Sequence, residues 1–207
     1  MHDEILTPRQ RSVLRPLAAA ATSAGLYLAG GTAIALHLGH RRSDDFDWFS
    51  DGAPIDIAAL TDLLRASLAF QVDVIDEGTL VGTSDGVRVA CYAYRYSRLE
   101  DTTAVQQWAL RLAGVRDLAA MKLLAIAQRG SRKDFIDVHA LLEHGITMSQ
   151  MLDDYQQKFR TSGRMPVLRG LVYFDDAEAE PIPEMLQPFT WDVLRDRLRR
   201  EVERCMR

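Results

Sequence analysis

The chain has 207 residues, 47% hydrophobic and 26% charged, which suits one globular domain or one domain with a helical extension. A net charge of −4 excludes a protein that coats nucleic acid through bulk positive charge. No apolar run approaches the roughly 20 residues that span a bilayer, and Cys91 and Cys205 stand too far apart to suggest a disulfide framework or a zinc site. Met1-His2-Asp3-Glu4 has neither the basic nor the apolar region of a secretory signal, so a cytoplasmic protein with no membrane partner is expected. Arginines cluster at Arg41-Arg42, along 88–98 and along 195–207, which leaves room for a local basic groove. Lysines are few: Lys122, Lys133 and Lys158.

Thr7-Pro8-Arg9-Gln10 has the form of a capping box with proline at the first helical position, and predicts a helix to about residue 24. Residues 26–29 predict a short buried strand, and Gly30-Gly31-Thr32 a turn into a second helix ending near Gly39. In 44–49, Phe46 and Trp48 alternate with Asp45 and Asp47, the pattern of a half-buried strand. A helix over 55–68 leads to three strands, 70–75, 79–83 and 87–94, the last two joined by the tight turn Ser84-Asp85-Gly86. From residue 115 the periodicity is helical: 115–128, 133–142, 148–159 and, after a proline-containing link over 181–188, an arginine-rich helix over 191–206. The boundary between the two halves is expected near 97–114.

The stretch Leu28 to Phe49 carries the chemistry. Glycines at a strand-to-helix turn let the backbone approach a ligand, and the first amides of the new helix attract anions. Thr32 adds a hydroxyl. Asp45 and Asp47, two apart on a strand, point to one face. Two parallel carboxylates repel unless a cation lies between them, and hard oxygen ligands suit Mg²⁺ or Mn²⁺ bridging to substrate phosphates. A phosphate cradle beside such a pair is the apparatus of phosphoryl or nucleotidyl transfer. Arg41 and Ser43 stand just before the carboxylates, where donors to a triphosphate are wanted; the alternative for Arg41 is a surface ion pair with Asp44.

A second cluster lies in the helical half. Lys122 and Arg129, seven apart, share a face of one helix, and Lys122 among Ala119, Ala120 and Ala125 suggests either a partly buried ammonium aimed at an anion or an exposed lysine on the outer stripe. Asp134 and Asp137 share a side of the next helix. Asp134 is placed either to cap that helix or to join the site, whereas Asp137, among Phe135, Ile136 and Val138, must pair with a cation or enter the active site.

With Gly30-Gly31-Thr32-Ala33, His40-Arg41-Arg42-Ser43-Asp44-Asp45-Phe46-Asp47, Lys122, and Lys133-Asp134-Phe135-Ile136-Asp137 in order, residues 26–143 resemble the AbiEii/AbiGii toxin family of nucleotidyltransferases, a branch of the DNA-polymerase-β-like superfamily. The tail after about 145 carries no such motif. The resemblance implies an α+β fold: a nucleotidyltransferase-like mixed β-sheet with flanking helices in 1–100, and a helical C-terminal region, 101–207, that completes the active site. It further implies a divalent metal on Asp45 and Asp47, triphosphate on Gly30, Gly31, Thr32, Arg41 and Ser43, and contacts from Lys122 and Arg129. Asp137, with Asp134, would complete the acidic site. It implies NTP as donor, an RNA acceptor such as a tRNA 3′ end, and a cognate antitoxin protein. On this placement Ser43→Glu repels the donor phosphates and abolishes activity.

One departure matters. The superfamily supplies a third carboxylate from a neighbouring strand, yet 87–94 contains no acid. Asp137 takes that role, or Asp73 does, or the site binds nucleotide and transfers poorly. His37 and His40 read as structural, and Cys91 as core. Tyr92, Tyr94 and Tyr96 beside Arg95 and Arg98 read as sheet-to-helix packing or as a base-stacking stripe. The arginines of 195–207 bind an acidic partner or RNA, or pair with Glu201 and Glu203. A protein or small-molecule acceptor, and a nucleotide-binding module without catalysis, stay open.

Overall fold

Capping chemistry sets the first helix. In the computed structural model, which describes residues 1–207, α1 (Pro8–Ser23) starts at Thr7, whose hydroxyl accepts from the Gln10 amide at 3.2 Å. The Gln10 side chain returns to the Thr7 amide at 3.0 Å, closing the box. β1 (Tyr27–Ala29) is buried along its whole length and runs straight into α2 (Gly30–Leu38), which ends on Gly39 in the left-handed conformation (φ 63). β2 (Phe46–Phe49) follows, then α3 (Ile57–Ser67), capped by Asp56. β3 (Phe70–Asp76), β4 (Thr79–Ser84) and β5 (Val87–Tyr92) form a meander; Asp85 and Gly86 both take positive φ in its second turn, as a tight hairpin requires.

The expected boundary at 97–114 contains two further strands, β6 (Thr103–Val105) and β7 (Leu110–Leu112), and a short 3₁₀ turn over Gln106–Trp108. They complete one mixed seven-stranded sheet in the order β3-β4-β5-β2-β1-β7-β6. β7 runs parallel to β1, and β2 runs parallel to β5 and antiparallel to β1. The sheet is thus closed by residues beyond 100.

α4 (Val115–Gln128), α5 (Arg132–Glu143) and α6 (Met148–Phe159) match the helical periodicity. Two short helices were not legible in the sequence, α7 (Met165–Gly170) and α8 (Asp175–Glu178); α9 (Trp191–Cys205) ends the chain. α1 packs on α3, β5 and β7, while α2 ties β1 and β2 to α4 and α5. No helix is long and apolar enough to cross a membrane.

Register places the core and the site on adjacent rows of the sheet. One row, Leu80-Cys91-Trp48-Leu28, is fully buried. That burial makes Cys91 a core residue and pushes its thiol up to about 12. The next row is Val81-Ala90-Asp47-Ala29. Because successive residues face opposite sides, this row presents Asp47 on the other face, flanked by two alanines that leave space beside it.

Candidate active site

Asp45 stands just before β2 and Asp47 within it, both partly exposed, with Phe46 and Trp48 fully buried on the opposite face. Neither carboxylate receives a hydrogen bond; the nearest cation to Asp47 is Arg88, at 3.9 Å. Burial, and then the neighbouring Asp45 charge, pushes the Asp47 carboxyl above its ordinary value. Two carboxylates with free oxygens and mutual repulsion fit a divalent cation, which one or two protein carboxylates and substrate phosphates commonly hold.

The glycines have steric reasons. A Cβ on Gly30, which has φ +68, would lie 2.6 Å from Asp47 Oδ2, and one on Gly31 would lie 2.5 Å from Arg41 Nη2. The methyl of Ala29 at the N-cap cannot accept a hydrogen bond, so no cap side chain occupies the first amides of α2 at the positive end of the helix. Thr32 is buried and does not line the cavity. Its hydroxyl lies 2.8 Å from Ser43 Oγ and is hydrogen-bonded to the Asp45 carbonyl. Its hydroxyl therefore braces the 43–45 segment against α2. Gln10 braces the same segment from α1, its amide donating to the Ser43 carbonyl at 2.5 Å. The capping-box pattern revealed Gln10 as a helix signal and gave no sign of this second task.

Behind the turn lies a buried charge network. Asp137 is fully buried and takes Arg41 Nε and Nη2, each at 2.8 Å, His40 Nε2 at 2.8 Å and Lys122 Nζ at 2.8 Å. Burial opposes its ionisation, but Arg41 and Lys122 outweigh that and hold it well below the ordinary range. The ion pair of Arg41 with Asp44 does not form: Arg41 is 1% exposed, and Asp44 lies 3.7 Å from Lys133. Lys122, only 7% exposed, also reaches Asp134 at 2.8 Å; the two carboxylates overcome its burial and keep its ammonium above the usual lysine value. Asp134 gathers Lys122, Arg129 Nε at 2.9 Å and the Ser131 hydroxyl at 2.9 Å. Against the effect of burial, those cations bring its carboxyl to about 2.

This geometry corrects the expectation for the third acid. Asp137 does not face the cavity, and four donors occupy its two oxygens; it positions Arg41 and Lys122 instead. Asp73 is on β3, three strands from β2 or about 14 Å by strand spacing, and binds Thr83. On β5 the residue opposite Asp47 is Ala90.

One cavity of about 510 Å³ unites the parts. Gly30, Gly31, Arg41, Ser43, Asp45 and Asp47 meet Lys122, Arg129 and Asp134 across it. Lys133 and Tyr92, from the lysine–aspartate motif and the tyrosine stripe, also line it, joined by Gln128 and Ser131. Its apolar side is Phe49, Tyr94, Leu118 and Met121. The tyrosine stripe is largely packing: Tyr94 meets Phe49 at 5.1 Å and Tyr96 at 5.2 Å between ring centres, and Tyr96 meets Phe159 of α6 at 4.8 Å. His37 binds the Ala113 carbonyl. In α9, Arg204 pairs with Glu201, whereas Arg195 pairs with Asp192 and with Glu178 of α8.

Residues 96–207 match the family model described as nucleotidyl transferase AbiEii toxin, of a type IV toxin–antitoxin system. The match takes in the tail after 145 in which no motif was legible. An uncharacterized protein of Aquifex aeolicus (strain VF5) is 33% identical over 204 residues, 96% of each chain. Among solved structures, MenT4, a nucleotidyltransferase toxin from Mycobacterium tuberculosis H37Rv, superposes with a TM-score of 0.63 at 12% identity over 94% of this chain and 81% of its own. JHP933 from Helicobacter pylori gives 0.60 at 14% identity over 98% and 92%. At such identities these two show a shared fold.

Proposed function

Since the chain belongs to the AbiEii nucleotidyl transferase toxin family and is a nucleotidyltransferase, we propose that it transfers a nucleoside monophosphate from an NTP to the 3′ hydroxyl of an RNA, with tRNA the favoured acceptor, as the toxin partnered by an antitoxin protein. The observation that carries the reading is the Asp45/Asp47 couple, which accepts no hydrogen bond, beside the Gly30-Gly31 turn in one cavity with Arg41, Lys122 and Arg129. Asp45 and Asp47 would hold a divalent ion, Mg²⁺ or Mn²⁺, which would neutralise phosphate charge and favour ionisation of the attacking hydroxyl.

The chain's own groups do the rest. The α2 amides and the Arg41 guanidinium hold the triphosphate, with Lys122, Arg129 and Lys133 on the facing wall. Asp137 and Asp134 keep the cations oriented, so little reorganisation accompanies the charge that develops during transfer. The acceptor hydroxyl gives its proton to water and its oxygen bonds to the α-phosphorus as the bond from that phosphorus to the bridging oxygen breaks, and pyrophosphate leaves. Incubation with each α-labelled NTP, Mg²⁺ and total cell RNA tests the reading. Label on RNA supports it; label on protein or on a small molecule instead moves the acceptor class, and bound nucleotide without pyrophosphate release leaves a binding module.

A further inference from the structure

A second hollow, about 360 Å³, opens where the chain beyond β5 meets the end of α6. Its wall carries Arg95, Arg98, Lys158 and Arg160 and no carboxylate. Two of these charges are answered inside the protein: Lys158 Nζ donates to Asp117 and to the Ser97 carbonyl, and Arg98 pairs with Asp51 at 2.8 Å. Arg95 and Arg160 are exposed and form no ion pair; Arg95 reaches only the Tyr96 hydroxyl and lies over its ring. Arg160 closes α6 in the left-handed conformation (φ 50), where glycine is the low-cost residue.

The hollow adjoins the active site. Tyr94 lines the first cavity and Tyr96 the second. Ring-to-ring steps of 5.1 Å from Phe49 to Tyr94 and 5.2 Å from Tyr94 to Tyr96 lead from one to the other.

We propose that this hollow takes the phosphodiester backbone of a single-stranded nucleic-acid acceptor, a short way upstream of the reacting hydroxyl, with Arg95 and Arg160 as its phosphate ligands. The inference rests on the nucleotidyl-transfer reading and adds a subsite that the catalytic cavity does not contain. Guanidinium forks match phosphate oxygens bidentately. A polyanionic acceptor also explains why a chain of net charge −4 leaves these cations unpaired beside its catalytic cavity. On the far side of Arg98 lie Asp51, Glu100 and Asp101, so the strand leaves over Arg160.

The test is fluorescence anisotropy of a labelled single-stranded RNA of about eight nucleotides with the full-length protein across a salt series, for the parent and for Arg95→Glu/Arg160→Glu. Nucleotide affinity without RNA and thermal unfolding serve as fold controls. The double variant loses at least about tenfold in RNA affinity, and its slope of log K against log salt falls by about 1.4, two phosphates at roughly 0.7 each. Unchanged affinity and slope, or a parent that binds no RNA, overturns the proposal. Equal binding of an oligoglutamate peptide, lost in the same variant, overturns the nucleic-acid assignment in favour of an acidic protein partner. Arginine-dependent RNA binding with no nucleotide transfer keeps the subsite and defeats the transfer reading instead.

Discussion

Asp45 and Asp47 face each other's charge without a protein donor, and that is a cost the fold bears for its site. Removing one charge therefore separates stability from activity: Asp45→Asn abolishes transfer yet leaves the metal-free protein as stable as the parent or more so, read as its melting temperature without divalent ions. A melting temperature several degrees lower contradicts the repulsion. Gly31→Ala drives a methyl against the Arg41 guanidinium, which Asp137 holds on two sides, so nucleotide affinity falls at least about tenfold, by calorimetry. Ser43, on the cavity wall under the Thr32 hydroxyl, admits no carboxylate beside the triphosphate; Ser43→Glu is inactive in the transfer assay. These residues were legible because strand alternation and a glycine turn are local signals. Asp137 was read either as a charge paired with a cation or as a member of the acidic site, and local sequence could not decide, since Arg41, which claims it, lies 96 residues away.

Among the elements, the long amphipathic helices were readable from their period, and α4 and α6 begin and end where the sequence places them. β6 and β7 were not: each has three residues, too short for alternation to emerge, and a 3₁₀ turn separates them. β7 is placed by pairing with β1, a long-range fact, and β6 by pairing with β7. The link before α9 is similar, since residues 184–187 bond to 40 and 42 and bridge Arg41 with Met185, clasping the segment that carries the guanidinium. At this scale Gln10 joins α1 to the segment that carries Ser43 and Asp45. Gln10→Ala removes half the capping box and the Ser43 clamp, costing about 1–2 kcal/mol in denaturant unfolding and weakening NTP binding. A loss in stability with unaltered NTP affinity leaves Gln10 a cap alone.

The whole molecule depends on a buried network that joins His40 and Arg41, just after α2, to α4 and α5. Asp134 is held at about 2 against about 3.9 when unfolded, so its contribution, of order 2 kcal/mol, is complete above pH 4 and disappears as pH falls towards 2. Asp137, also depressed, acts in the same direction. Asp134→Asn accordingly destabilises the protein at pH 7 by about 3 kcal/mol and flattens its acid-unfolding limb. An unchanged acid limb contradicts the network.

The most direct test of the account is one assay: the purified protein with α-labelled NTPs, Mg²⁺ and tRNA, beside Asp45→Ala/Asp47→Ala. Label on the tRNA 3′ end from the parent alone, with pyrophosphate released in equal amount, is the predicted result. Label of equal strength from the double variant, or nucleotide bound by the parent and transferred to nothing, contradicts it.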